Sequence, residues 1–66
     1  MFFETIDGRL QNATLLQEVV IVKNEDETYS IGYVQINGEV IKEGNYNTLE
    51  DAETVKESIE TILLSL

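Results

Sequence analysis

The dipeptide Asn37-Gly38 lies between two apolar-rich runs and predicts a β-hairpin. Asn and Gly tolerate the positive φ angles that a two-residue type I′ turn requires. Such a turn sets the register of the two strands, in which Tyr33 faces Lys42 and Tyr29 faces Tyr46. Because side chains alternate across a strand, this register assigns each residue to one face of the sheet.

Further strands are predicted upstream of this hairpin. Residues 19–22 form a β-branched run that predicts a central strand, and residues 24–27 form a polar turn into the next strand, near Thr28. The first third predicts a strand over residues 2–6, a turn at Asp7-Gly8, an extended segment over 9–11 and a loop or bend over 12–17.

The C-terminal third predicts an amphipathic helix over residues 48–65. Thr48 is the expected N-cap, with Asp51 three residues later as in a capping box. Apolar residues recur at spacings of three and four, at Ala52, Val55, Ile59, Ile62 and Leu66, with Leu49 and Leu63 beside them. We therefore expect one α+β domain over residues 1–66: an antiparallel sheet of four to five strands over residues 1–46, followed by one C-terminal helix.

The residue types narrow the chemistry that this chain can perform. It has 66 residues, of which none is Cys or His. Disulfides, thiolate metal sites and nearly all zinc sites are thereby excluded. An ordinary catalytic triad, a thiol nucleophile and an imidazole base are excluded as well. We expect a protein that is not an enzyme and that has no catalytic residues, metal site or cofactor.

The charge of the chain is strongly acidic. Its 13 Asp and Glu residues exceed its 4 Lys and Arg residues, which gives a net charge of −9. Phosphate backbones and anionic membranes repel such a chain, whereas basic protein surfaces attract it. The N-terminus has no basic start or long apolar run of a signal peptide, and no apolar stretch approaches about 20 residues, so a cytoplasmic location is expected.

Apolar residues occur on both faces of the predicted sheet, while a single helix can cover only one. The first face carries Val34, Ile36 and Ile41. The second face, with Gln35 and Lys42, is expected to mediate self-association into a homodimer or higher homo-oligomer through Tyr29, Ile31, Tyr33, Val40 and Tyr46. The alternative is that the N-terminal strand and the loop at 12–17 fold over this face.

Carboxylates on the helix and at the sheet edge form the candidate surface for another protein. They could imitate a phosphate backbone and occupy a basic groove. A solvated helix face is the alternative. The candidate partner-binding residues are Glu39, Glu43, Glu50, Glu53, Glu57 and Glu60.

The sequence offers three other kinds of candidate site. Tyr29 and Tyr33 beside Lys42 could stack single-stranded bases, although direct nucleic-acid binding is disfavoured by the charge. An oligomer interface could instead sequester a nucleotide or another small ligand. The acidic turn at residues 24–27 could bind Ca²⁺ or Mg²⁺, but its spacing differs from that of an EF-hand loop, which favours a solvated turn.

Three segments of the chain carry a family resemblance. Ile6-Asp7-Gly8-Arg9, Ile36-Asn37-Gly38-Glu39 and residues 44–52, which read GNYNTLEDA, occur in that order. This pattern resembles that of short accessory proteins of phages and prophages of Gram-positive bacteria. Characterised members include host-takeover and counter-defence inhibitors, among them acidic anti-CRISPR proteins. The resemblance implies an inhibitor that acts in the host cytoplasm.

Overall fold

Antiparallel strands followed by one helix make up residues 2–5 and 8–66, which the computed structural model describes. This arrangement confirms the expected α+β class. The elements are β1 (Phe2–Glu4), β2 (Leu10–Asn12), a 3-10 helix (Ala13–Leu15), β3 (Leu16–Lys23), β4 (Tyr29–Gln35), β5 (Val40–Tyr46) and the helix α1 (Leu49–Leu64).

The strands divide between two sheets. β1 pairs with β2, and a separate sheet has the order β3-β4-β5. The prediction of a central strand at residues 19–22 is therefore wrong, because they belong to the edge strand β3. Two successive hairpins place β4 between its neighbours in sequence, and the N-terminal strands pair with each other rather than with β3.

The turn between β4 and β5 has one residue more than the predicted type I′ turn. Gln35 donates its N–H to the C=O of Glu39 at 2.7 Å, and Gly38 donates to Gln35 at 2.9 Å. Gly38 has a φ of +91°, whereas Asn37 is not among the residues with positive φ, so the loop is a type I turn followed by a left-handed glycine. As a result Tyr33 faces Ile41 instead of Lys42.

A bulge at the far end of β5 restores the predicted pairing of Tyr29 with Tyr46. The register shifts between Tyr29 and Ile31, beside Gly44, which has a φ of +76°. A Cβ atom at position 44 would lie 2.7 Å from Cε2 of Tyr46. Glycine is thus required here both by the backbone and by the ring that packs over it.

The register of β5 decides which side chains face the helix. Val19, Ile31 and Tyr33 are buried in the core with Ala52 and Ile59 of α1. Val40 lies opposite Val34, on the other face of the sheet, so the prediction that it shares a face with Tyr33 is wrong. That opposite face, here called the open face, carries Val20, Val22, Val34 and Val40.

Helix α1 begins and ends close to the predicted positions. The Thr48 side chain caps it by accepting a hydrogen bond from the N–H of Asp51 at 3.1 Å. Ala52 and Ile59 are buried as expected. Near the end of the helix, Ile62 is 39% exposed, and Leu63 packs against the core in its place.

The N-terminal segment packs on the same side of the large sheet as the helix. The Phe3 ring lies 6.2 Å from that of Tyr33, measured between centroids. Phe3 therefore packs over the face that carries Tyr33, as in the alternative to self-association, and it shares that face with α1. The predicted strand over residues 2–6 is seen as β1, while Ile6 and Asp7 lie outside the described residues. The predicted loop over 12–17 contains the 3-10 helix and the start of β3.

The close approach of Tyr46 to Gly44 predicts a loss of stability in Gly44→Ala. We expect a loss of about 2–3 kcal/mol in the free energy of unfolding, from the left-handed backbone and the displaced ring together. Gly38→Ala is the matched control, since a Cβ there meets nothing within 4 Å, and backbone strain alone costs about 1 kcal/mol. Urea denaturation measures both values, and equal losses would contradict the role assigned to the Tyr46 ring.

Candidate functional site

Exposed glutamates form a stripe along α1. Glu50, Glu53, Glu57 and Glu60 follow one another at spacings of three, four and three residues, which places them along one side of the helix. All of them are exposed. At a rise of 1.5 Å per residue the stripe extends over about 15 Å. We call these residues the acidic stripe.

The acidic stripe has little neutralising charge nearby. Lys56 lies 3.7 Å from Glu60, measured from Nζ to Oε1, as an i,i+4 pair on the helix. Both side chains remain partly exposed, and such surface pairs contribute little to stability. No basic residue lies in the last turn of the helix. The stripe therefore presents a strong negative field.

An exposed leucine continues the acidic stripe. Leu64 follows Glu60 by four residues, on the same side of the helix, and is 89% exposed. It adds one exposed apolar side chain at the end of this row of charges, beside the partly buried Leu63.

A groove of about 770 Å³ separates the C-terminal half of α1 from the start of β3. Glu60 and Leu64 line it from the helix, while Gln17 and Val19 line it from β3. It is open to solvent along its length, so it differs from an enclosed ligand cavity. Glu60, at the C-terminal end of the acidic stripe, and the start of the edge strand β3 therefore line one groove.

The two carboxylates predicted on the sheet have different environments. Glu39 is exposed at the β4–β5 turn, as expected. Glu43 is only 4% exposed, and its Oε1 accepts a hydrogen bond from the Tyr33 hydroxyl at 2.7 Å. The prediction that Glu43 belongs to a partner-binding surface is therefore wrong, because the register of β5 turns this residue toward the core.

The residues predicted for self-association do not form one exposed surface. Ile31 and Tyr33 are fully buried, and Tyr29 and Tyr46 are partly buried against the same core. Val40, which is 50% exposed, lies on the open face. The sequence identified these residues as apolar and sheet-forming, but the helix covers the face that they were expected to expose.

The arrangement also separates the residues proposed for base stacking. Tyr33 has no exposed surface. Lys42 pairs with Gly32, on the opposite face from Tyr33, and its Nζ lies 3.4 Å from Oδ1 of Asn24. A nucleic-acid base therefore cannot contact both Tyr33 and Lys42 on one face of this fold.

The polar turn at residues 24–27 is organised by its own hydrogen bonds. Asp26 accepts hydrogen bonds from the hydroxyl and the backbone N–H of Thr28, and these bonds lower the pKa of Asp26 below its ordinary value. Within residues 2–5 and 8–66, no group of three or more His, Cys, Asp or Glu residues could hold a metal ion. The Asp26 carboxylate thus stabilises the turn through its bonds to Thr28.

Sequence reasoning missed the free edge of β3 as part of the site. The signal was present, because two consecutive hairpins place the middle strand at the centre and leave the first at an edge. The apolar run at residues 19–22 obscured this signal, since edge and central strands can carry the same β-branched residues.

The described part of the chain contains no helix that is long and apolar enough to span a membrane. Comparison with protein-family models, curated proteins and solved structures finds no match to this chain.

The buried contact between Tyr33 and Glu43 predicts unequal effects of two conservative variants. Tyr33→Phe removes the hydroxyl and leaves a buried carboxylate without this donor, so we expect it to lower the free energy of unfolding by about 2 kcal/mol. Glu43→Gln keeps an acceptor for Tyr33 and removes the buried charge, so the expected change is within about 1 kcal/mol. Urea denaturation compares the two, and a larger loss for Glu43→Gln would show that the charge itself stabilises the fold.

Proposed function

We propose that this protein is a small acidic binding protein without enzymatic activity. It acts as an inhibitor encoded by a phage or another mobile element, and it occupies a basic, nucleic-acid-binding surface of a host or defence protein in the host cytoplasm. The observation that carries this proposal is the acidic stripe, in which Glu50, Glu53, Glu57 and Glu60 are all exposed along one side of α1.

The spacing of the acidic stripe supports mimicry of a phosphate backbone. Its carboxylates follow one another at about 5 Å along the helix axis, given the rise of 1.5 Å per residue. One strand of B-DNA carries a charge every 3.4 Å or so along its axis. The stripe is sparser, but it is rigid and has the same sign. A basic groove would attract the acidic stripe over long distances and would favour it over proteins with less negative surfaces.

The other functions considered have less support. Stacking of nucleic-acid bases has no exposed surface that combines the proposed residues, since Tyr33 is buried and Lys42 lies on the opposite face. Sequestration of a small ligand is not favoured by the open groove beside α1. Acid–base catalysis is disfavoured because the chain contains no His or Cys.

Reversing two charges of the acidic stripe tests the proposal. We expect Glu53→Lys with Glu57→Lys to weaken target binding roughly tenfold or more, because each close charge pair across an interface contributes at least about 1.5 kcal/mol. Wild-type protein and this variant are immobilised to capture proteins from a lysate of a Gram-positive host. The captured protein is then purified, and its Kd is measured at several salt concentrations.

The matched control changes the same net charge elsewhere. Glu4→Lys replaces one exposed carboxylate outside the helix and is compared with Glu57→Lys alone, and both single variants take the net charge from −9 to −7, since each replacement adds two. We expect the control to retain most of the affinity. Equal binding by wild type and the stripe variant, or a Kd that does not change with salt, would mean that the stripe only solvates the helix.

Self-association remains part of the proposal, but through a different surface. The open face carries Val20, Val22, Val34 and Val40, and none of them belongs to the core under α1. Apolar faces of this kind on small proteins favour contact with another copy.

Sedimentation velocity with Val40→Lys tests this surface. We expect the wild-type chain to sediment as a dimer or larger assembly, and Val40→Lys to sediment as a folded monomer because a charge enters the contact. Ile36→Lys is the control, since Ile36 is 62% exposed in the turn beside this face. A wild-type protein that stays monomeric at all concentrations would contradict self-association.

A further inference from the structure

The outer edge of β3 presents unpaired backbone groups. Asn24 donates its N–H to the C=O of Thr28 at 2.8 Å, across the β3–β4 hairpin. Because hydrogen bonding alternates along antiparallel strands, Glu18, Val20 and Val22 direct their backbone groups toward β4. The residues between and after them, Val19, Ile21 and Lys23, direct theirs outward. Within the described residues, no other strand pairs with this side of β3.

The two edges of the large sheet differ in how they are protected. β5 is bent by the bulge at Gly44, which is a common way of blocking edge pairing. β3 has eight residues, and its interior consists of Val19, Val20, Ile21 and Val22. Its charged residues, Glu18 and Lys23, lie on either side of this apolar run, so no charged side chain interrupts residues 19–22 to prevent pairing.

The groove beside α1 continues this edge. A strand added next to β3 would place alternate side chains on the helix side of the sheet, where the groove is lined by Leu16, Val19 and Leu63. The intervening side chains would lie on the open face, next to Glu18. The site therefore combines main-chain pairing with an apolar groove, which is how sheet edges bind extended peptides.

The charges around this site select the kind of strand that fits. Glu60 lines the groove, Glu18 lies on β3, and Glu25, Asp26 and Glu27 follow the end of the strand. Of the cations nearby, Lys56 is paired with Glu60, which leaves Lys23 and Lys42, whose Nζ lies 3.4 Å from Oδ1 of Asn24, to oppose the other acidic residues. A second copy of this chain would bring another net charge of −9, whereas a basic segment is attracted.

We propose that β3 binds an extended basic segment of a partner protein as an additional antiparallel strand. The apolar side chains of this segment enter the groove under α1, and its Lys or Arg side chains face Glu18 and the turn after β3. This inference rests on the proposed function, because Glu60 of the acidic stripe lines the same groove, and it names the kind of element that the partner contributes.

Peptides that differ only in backbone donors test this inference. The probe is a capped, fluorescently labelled octapeptide of alternating Lys and Val. In antiparallel pairing, the residues whose side chains face the groove also direct their N–H groups at β3. N-methylation of the Val residues should therefore weaken binding roughly tenfold or more, since several hydrogen bonds are lost, while N-methylation of the Lys residues should have little effect. Fluorescence anisotropy measures the three affinities.

Two proline variants provide the matched test on the protein. Lys23 on β3 and Lys42 on β5 are both exposed lysines at outward-facing positions of the two edge strands. Edge strands tolerate proline at such positions, and both replacements remove one positive charge. We expect Lys23→Pro to weaken octapeptide binding, and Lys42→Pro to leave it unchanged.

Several results would overturn the inference. It is contradicted if the octapeptide does not bind, or if all three peptides bind with equal affinity. It is also contradicted if only N-methylation of the Lys residues weakens binding, or if the two proline variants change octapeptide binding equally. If the peptides bind equally but Glu53→Lys with Glu57→Lys still weakens capture of the target, strand addition at β3 is contradicted, while the proposed binding through the acidic stripe is retained. A wild-type dimer that Lys23→Pro alone dissociates would show that a second copy occupies the edge.

Discussion

The turn at residues 36–38 determines which side chains of β5 face the helix. Its left-handed glycine, Gly38, closes a three-residue loop, and each residue of β5 is thereby placed on one face of the sheet. Ile41 and Glu43 consequently lie on the helix side, and Val40 and Lys42 lie on the open face. The core, the buried carboxylate and the open valine face all depend on this one loop.

The buried pair of Tyr33 and Glu43 is a consequence of that register. The Tyr33 hydroxyl donates to one oxygen of Glu43, while Oε2 is buried without a partner among the described residues. Such an arrangement is expensive relative to an apolar core, because a buried carboxylate is only partly compensated by one donor. It also removes one carboxylate from the surface, so the exposed acidic residues are concentrated on α1 and in the turns.

The end of the acidic stripe at Glu60, the groove and the start of β3 lie together because α1 packs against β3 and β4. The helix contributes charge and the exposed side chain of Leu64, while the strand contributes unpaired backbone groups. Charge governs the rate of encounter and the choice of partner, and backbone pairing fixes geometry. A basic extended segment would satisfy both requirements at one side of the molecule.

Much of the fold follows from local patterns in the sequence. The N-cap at Thr48, the helix and the presence of a hairpin at Asn37-Gly38 were all predicted, because capping, turn chemistry and periodicity act between residues close in the chain. Tyr29 faces Tyr46 as predicted because the bulge beside Gly44 offsets the additional residue of the turn. The exposed carboxylates of α1 were predicted for the same reason, since helical spacing alone separates them from the apolar side.

What the sequence by itself determined is therefore the class of fold, the helix and its acidic side. Only the tertiary structure decided that Ile31, Tyr33 and Glu43 are buried, and that β3 is an edge strand. The physical reason is that Asn37-Gly38 is compatible with turns of two or three residues, and a difference of one residue reverses the faces of a strand. Strand order likewise depends on whether the N-terminal strands pair with β3 or with each other, which no local pattern specifies.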